Sequence, residues 1–287
     1  MPKAREIKKR IRGIENIQEI TRAMKLVAAA RIKKAEEAVL SCMPYTEKVK
    51  EIMKVILEKF GDGLSHELMT ERDVKRVAIV PVSGDKGLCG SFNSNILRLS
   101  NHIIEIMNDK EILLIPVGNK AYRYYIDKNF NIPFYYFPLN DIDYSLCRDM
   151  TQRFIKMFLD REVDEIYFIY GKFISTMSQK IRSFRFLPFN QEENTEENKD
   201  NREFIIEPSQ GEFLDYLIPK YLEVLIYQII LDSVASELGA RLMAMTNATD
   251  NAEDLIGDLK LRFYRARQEA ITTQIIEVTS GAESIKH

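Results

Sequence analysis

Apolar residues in the first part of the chain recur at helical spacing. Ile7, Ile11, Ile14, Ile17, Ile20, Met24 and Val27 are separated by steps of 4, 3, 3, 3, 4 and 3, a mean near 3.3. A period below about 3.6 winds the stripe left-handedly around the helix axis and predicts a coiled-coil partner. Ala28, Ala29 and Ala30 follow, where a second helix can approach closely. From residue 3 to 43 there is no proline, and the one glycine is Gly13. Pro44 is expected to kink or end the helix. VKEIMKVILEKF then resumes the pattern to Phe60, and Gly61, Asp62 and Gly63 are turn residues that end it.

Between about 72 and 208 the pattern changes. VKRVAIVPV (74–82) and EILLIPVG (111–118) are short β-branched runs bounded by turn residues, and they read as buried strands. A helical pattern follows each, over 92–108 and 119–129. IPFYYF (132–137) and DEIYFIY (164–170) bracket a further helix at about 143–160. Strands alternating with helices predict a parallel sheet covered on both faces. After Gly171, the run KFISTMSQKIRSFRFLPF is expected to add one antiparallel strand.

Beyond Pro219 there is no further proline. Apolar or alanine residues fall at 238, 242, 245, 248, 252, 255, 259, 263, 266 and 270, a mean step of 3.56. Gly239 and Gly257 are possible breaks, each costing about 1 kcal/mol in a helix. One helix over 221–287 would span roughly 100 Å, against a diameter of about 50 Å for a compact globule of this length. Such a helix needs a partner outside its own globule. The expectation is an α/β protein in three parts. A long antiparallel coiled coil joins the N-terminal helix (1–60) to the C-terminal one (209–287), and a central Rossmann-like α/β domain (72–208) has a mostly parallel sheet.

Composition narrows the classes. With 12 glycines and 9 prolines in 287 residues, the chain is short of helix breakers. The longest run without a charge is 129–140, shorter than a membrane span needs. The net charge of −2 hides an uneven distribution. Residues 1–34 carry eleven Lys or Arg against Glu6, Glu15 and Glu19, whereas QEENTEENKDNRE (191–203) is acidic and reads as a solvated loop.

No residue cluster marks a catalytic centre. Cys42, Cys89 and Cys147 have no CxxC pairing and only His66, His102 and His287 for company, which argues against a disulfide scaffold or a zinc site. Cys89 lies in SGDKGLCGSFNSN between a strand and a helix, where a thiol can be activated, but neither His66 nor His102 is marked as its base. The spacing of Gly84, Gly87 and Gly90 matches neither dinucleotide nor phosphate-loop fingerprints, so these glycines are assigned to a tight turn and close helix packing. Arg262, Arg265 and Arg267, downstream of Glu253, Asp254 and Asp258, read as a solvated or partner-bearing face, and Leu242, Met243 and Met245 as coiled-coil core. The basic N-terminus lacks interleaved aromatics, which weakens a nucleic-acid reading. A basic coiled-coil nucleic-acid binder and a Rossmann-like enzyme with helical arms are the rival readings.

Longer motifs carry a family signature. AREIKKRIRGIENIQEITRAMKLVAAARIKKAEEAV resembles the first helix of the gamma subunit of the rotary F-type ATP synthase, and Pro44-Tyr45 the proline after it. SGDKGLCGSFN is similar to that family's loop after the first strand. ARLMAMTNATDNAEDLI and RARQEAITTQIIEVTSGAESI are similar to its C-terminal helix. Lys86, Ser91 and Asn247 depart from the usual pattern. The resemblance implies a non-catalytic central rotor shaft without cofactor, metal or membrane span of its own. Such a shaft couples ion-driven rotation of the membrane c-ring to ATP synthesis or hydrolysis on the alpha and beta subunits, with an epsilon subunit as further partner. It implies no nucleic-acid partner, and a peripheral position on the cytoplasmic side of a bacterial cell membrane, since the match starts near Met1. By matching motif, Met24 and Lys25 fall where the shaft faces the catalytic ring. Arg241, Arg267, Gln268, Thr272 and Glu277 fall at positions tied to coupling and assembly.

Overall fold

The computed structural model describes residues 2–60, 66–189 and 210–284. The expected turn at Gly61–Gly63, the acidic segment 191–203 and His287 lie outside these residues. The described chain contains helix α1 (Pro2–Phe60), strand β1 (Arg76–Pro81), α2 (Phe92–Ile106), β2 (Glu111–Leu114), α3 (Asn119–Ile126), α4 (Tyr144–Leu159), β3 (Glu165–Ser175), β4 (Ser178–Leu187) and α5 (Gln210–Ser284). By packing it forms two compact units, one of Ala30–Arg241 and one of Met1–Ala29 with Leu242–His287.

The larger unit is built on a sheet of order β2-β1-β3-β4. β1 is parallel to both β2 and β3, and β3 is antiparallel to β4. β1 shows why a near-continuous apolar run becomes a central strand. Val77 and Ile79 pack on one face with Phe92 and Ile96 of α2 and Ala121 and Tyr125 of α3. Ala78 and Val80 point to the other face, among Met150, Phe154 and Phe158 of α4, Met53 of α1 and Leu222 and Ile226 of α5. Alternate side chains of one strand thus serve two cores. Phe168 lies edge-on to both Phe154 and Phe186, with centroids 5.5 and 5.2 Å away.

Three local expectations need correction. First, α1 does not end at Pro44 but runs on to Phe60. Pro44 has no N–H for the Leu40 carbonyl, a defect worth about 3 kcal/mol in an isolated helix. Here Val39, Thr46, Val49 and Met53 are all buried around it, and packing holds the helix together. The Thr46 hydroxyl donates back to the Cys42 carbonyl at 3.0 Å. Pro219 is likewise inside α5, between the buried Ile218 and Leu222. Second, 132–137 is not a strand. Pro133 lacks a donor, and the segment makes isolated bridges, Leu113 with Asn131 and Val117 with Tyr136. Third, Gly171 does not end a strand. β3 runs on to Ser175, and the expected single strand after Gly171 is the end of β3 plus all of β4.

α1 and α5 also pair inside this unit. Lys50 Nζ donates to Gln228 Oε1 at 3.4 Å, and a Cβ on Gly239 would lie 3.3 Å from Ile32 Cδ1. Residue numbers rise along one helix as they fall along the other, so the pairing is antiparallel. Gly239 and Gly257 leave α5 unbroken over its 75 residues.

In the smaller unit, the Thr21 and Thr249 hydroxyls meet at 3.0 Å. The buried and half-buried positions of α1 there are 4, 7, 11, 14, 18, 21, 25 and 28, with 15 and 24 beside them. Steps of 3 and 4 alternate, which is the seven-residue repeat of a coiled-coil seam. The expected stripe drifts off this seam. Ile17, Ile20 and Val27 are 55–59% exposed, and Gln18, Thr21 and Ala28 take the inward places. A mean step of about 3.3 falls behind a 3.5-residue seam by about one residue over the six steps from Ile7 to Val27, so apolar identity there does not mark the partner-facing side. On α5 the same correction moves one place, since Ile256 is buried and Leu255 is 53% exposed.

Candidate functional site

The sheet reverses its strand order at β1, and the loop after β1 lies at the carboxyl ends of the parallel strands, where open α/β sheets bind ligands. In this protein its own side chains fill that place. Asp85 Oδ1 accepts the Asn119 N–H at 3.0 Å, and Oδ2 accepts the Leu139 N–H at 2.7 Å. Ser83 Oγ accepts the Ala121 N–H at 2.8 Å. Asn93 Oδ1 accepts the Gly84 N–H at 2.9 Å, and its amide donates to the Lys86 carbonyl at 3.2 Å. The loop is thereby tied to α2, α3 and the segment before α4.

From α5, Glu237 and Arg241 complete the knot. Arg241 Nη1 donates to Glu237 Oε2 at 2.9 Å and Nη2 to the Gly87 carbonyl at 3.2 Å. Gly84 lets Glu237 approach closely, since a Cβ there would lie 3.0 Å from Glu237 Cγ. Gly90 sits at φ 57, the left-handed region that glycine adopts without strain. The assignment of these glycines to a tight turn and helix packing therefore holds at Gly84 and Gly90. Burial holds the Glu237 carboxyl above its ordinary range, while Arg241 pulls the other way.

Cys89 is buried against this pair. Burial raises its thiol pKa, Glu237 adds to the rise, and Arg241 opposes it. Asn93 Nδ2 lies 3.1 Å from its sulfur. His66 instead accepts the Leu68 N–H and faces Asp215 at 3.2 Å, and His102 is exposed on α2. The position before a helix is thus occupied by a thiol held protonated. Among the described residues no cluster of three His, Cys, Asp or Glu is placed to hold a metal, and no helix is long and apolar enough to cross a membrane.

The residues singled out by resemblance do not converge on one site. Arg241 belongs to the α/β unit and the rest to the helical unit. Met24 is half-buried beside the seam and Lys25 half-buried within it, on the part of α1 next to Thr21. Arg267, Gln268, Thr272 and Glu277 are exposed on the last turns of α5, as is every residue from 271 to 281. The Thr21–Thr249 register sets Met24 opposite about residue 246, roughly 33 Å along the helix from Gln268 at 1.5 Å per residue. It also sets Pro2, where α1 starts, opposite about residue 268. The turns beyond lie past that pairing, and Ile271, Ile275, Ile276 and Val278 are 41–71% exposed. Arg262 and Arg265 are exposed too, as are Glu253, Asp254 and Asp258, in keeping with a solvated face. Sequence reasoning missed Glu237. Its signal was a charged residue four places before Arg241, close behind the polar Asp232, Ser233 and Ser236.

The comparisons bear on all of this. The ATP synthase family profile matches residues 3–285. The ATP synthase gamma chain of Geobacter metallireducens is 40% identical over 288 residues, covering 100% of both chains. That of Desulfitobacterium hafniense is 37% identical over 287 residues, again with 100% of each covered. Among solved structures, a chain of the Euglena gracilis mitochondrial ATP synthase (OSCP/F1/c-ring) superposes with a TM-score of 0.67 at 13% identity, over 99% of this chain and 95% of that one. One from the Tetrahymena thermophila mitochondrial ATP synthase (central stalk/c-ring) gives 0.60 at 22% identity, over 80% and 99%. These last two share the fold. With two long paired helices, an α/β unit on a mostly parallel sheet and a sequence match along its whole length, this chain belongs to the ATP synthase gamma-chain family.

Proposed function

We infer that the chain is the central rotor shaft of an ATP synthase, turning within the alpha and beta subunits and carrying rotation between them and a membrane c-ring. It does not itself cleave or form ATP. The observation that carries the reading is the pairing of α1 with a 75-residue α5 whose last turns expose Ile271, Ile275, Ile276 and Val278. An apolar helix end bared to water is costly, and a surrounding sleeve of other subunits relieves it. A shaft must also turn through every angle without sticking, which favours smooth apolar contact over fixed ion pairs.

In this reading the exposed residues Arg267, Gln268, Thr272 and Glu277 meet the sleeve, and Met24 and Lys25 face the moving parts of the beta subunits. Arg241 acts from inside the α/β unit, by holding the loop after β1. An epsilon subunit and the membrane c-ring are further partners in this reading, with the complex on the cytoplasmic side of a bacterial membrane and this chain peripheral to it. The coupled ion is a proton or sodium.

The test is copurification of the tagged full chain from its own cells, followed by rotation of a bead attached to it during ATP hydrolysis. Stoichiometric alpha and beta subunits and stepwise rotation are expected. Recovery of the chain alone, or with nucleic acid that survives physiological salt, would count against the reading.

A further inference from the structure

β3 outruns its parallel neighbour. Pairing with β1 ends where Ile169 meets Pro81, yet β3 continues to Ser175 against β4 alone. From Gly171 onward its other edge presents backbone groups to which no strand bonds. Buried backbone groups must find partners, and α5 supplies them with side chains. The Gly171 N–H donates to Ser233 Oγ at 3.3 Å, and Ser236 Oγ donates to the Gly171 carbonyl at 3.0 Å. The Phe173 N–H donates to the Asp232 carboxylate. Asp232, Ser233 and Ser236 are all buried.

The helix can come this close because Gly171 has no side chain. A Cβ there would lie 2.6 Å from Phe92 Cε2 and 2.9 Å from Ser236 Cβ. One turn further, a Cβ on Gly239 would lie 2.9 Å from the Thr176 carbonyl oxygen in the β3–β4 turn. Glu237 and Arg241 then grip the loop after β1 through the Gly87 carbonyl. Asp232, Ser233, Ser236, Glu237 and Arg241 thus lie within one half of the helix circumference, following a stretch of α5 from Tyr221 to Leu231 in which Glu223 and Gln228 are the only charged or amide residues.

Apolar packing is non-directional and lets one helix ridge shift past another. A hydrogen bond weakens steeply as its angle opens. We propose that Asp232, Ser233, Ser236, Glu237 and Arg241 form a rotational key, which fixes α5 about its own axis to β3 and the loop after β1, so that torque on the helix is delivered to the α/β unit. They are positioning residues for coupling, and the proposal rests on the rotor reading above.

The test uses the assembled complex with a bead on the α/β unit. The double substitution Ser233→Ala, Ser236→Ala removes both hydroxyls that hold Gly171. Angular variance of the bead during the dwell before ATP binding is expected to rise about twofold or more, since the directional bonds that limit it are gone. Unloaded ATP hydrolysis should stay near wild type, and ions pumped per ATP should fall against an opposing gradient. Ile226→Ala, a buried apolar truncation on the same helix, serves as the stability control and should leave the variance unchanged. Wild-type variance in the double variant, or an equal rise in Ile226→Ala, would overturn the key. If the double variant does not assemble, Ser233→Ala alone is read by hydrogen exchange in the full chain. The Gly171 amide should then exchange at least about tenfold faster while that of Val80 does not change, and unchanged exchange at Gly171 overturns the proposal. A wild-type chain that fails to rotate in the complex would instead overturn the rotor reading, and the key with it.

Discussion

Arg241 and Glu237, one turn apart on α5, form an ion pair whose side chains are only 14% and 3% exposed, and the same guanidinium reaches the Gly87 carbonyl. Removing one partner of a buried pair leaves the other charge without compensation. Arg241→Ala should therefore cost about 3–5 kcal/mol, a drop of roughly 10 °C in thermal midpoint. The double variant Glu237→Gln, Arg241→Gln should lose less than Arg241→Ala alone, because no orphan charge remains. Thermal unfolding of the full chain decides it, and a double variant worse than the single one would mean that the pair itself is strongly stabilising.

Asp232 provides a pH test. Desolvation raises its carboxyl to about 6 in the fold, against the attraction of Lys172 on β3 and Lys50 on α1 and the Phe173 N–H bond. The unfolded carboxyl titrates near its model value of 3.8, so between these values the folded state holds more proton. Stability should fall as pH rises through roughly 4 to 6, by about 3 kcal/mol, and stay at the lower level above that window. Asp232→Asn keeps an acceptor for Phe173 but cannot ionise. It should flatten this slope and be at least as stable as wild type at pH 7. Urea titrations of both chains across the window measure it.

Cys89 and Cys147 are buried thiols with pKa values raised by desolvation, Cys147 to about 12. Cys42 is half-buried. Iodoacetamide at pH 8 should label Cys42 in the folded chain and reach the other two only after denaturation, as peptide mapping will report. Cys89→Ser should leave ATP turnover of the reconstituted complex within about threefold of wild type. A loss of about a thousandfold, the scale of a missing nucleophile, would restore the enzyme reading.

Met24 is half-buried, with Lys25 at the next position. Lysine at 24 would add a second ammonium on a face that, in the rotor reading, passes beta-subunit carboxylates. A new ion pair there is worth about 1 kcal/mol if wet and more if desolvated. Because it must break at every step, it adds to the rotational barrier, and about 1.4 kcal/mol is tenfold in rate. Met24→Lys is expected to lower ions pumped per ATP while assembly survives. Vesicles that follow hydrolysis and pumping together give the ratio, and an unchanged ratio would place Met24 away from the catalytic ring.

The kinds of element and their order were legible in local stretches of the chain. β-branched runs at 74–82 and 164–170 became buried strands, the 3-to-4 spacing at both ends became long helices, and the terminal motifs identified the family. Those signals are local, because they depend on which side chains lie within a few residues of each other. Register, burial and side-chain roles depend instead on partners distant in sequence. Ile17 and Ile20 match a helical stripe as well as Thr21 does, yet Thr21 is the inward residue, because Thr249 on the other helix sets the register. Pro44 and Pro219 break isolated helices and are overridden here by packing on both sides. Met24, Arg241 and Glu277 could be singled out only through resemblance, since nothing in their own spacing separates them from other helix positions. Asp232, Ser233, Ser236 and Glu237 were visible as polar residues in an apolar run, but their role depended on where β1 stops beside β3, and strand ends in space are fixed by pairing rather than by neighbours in the chain.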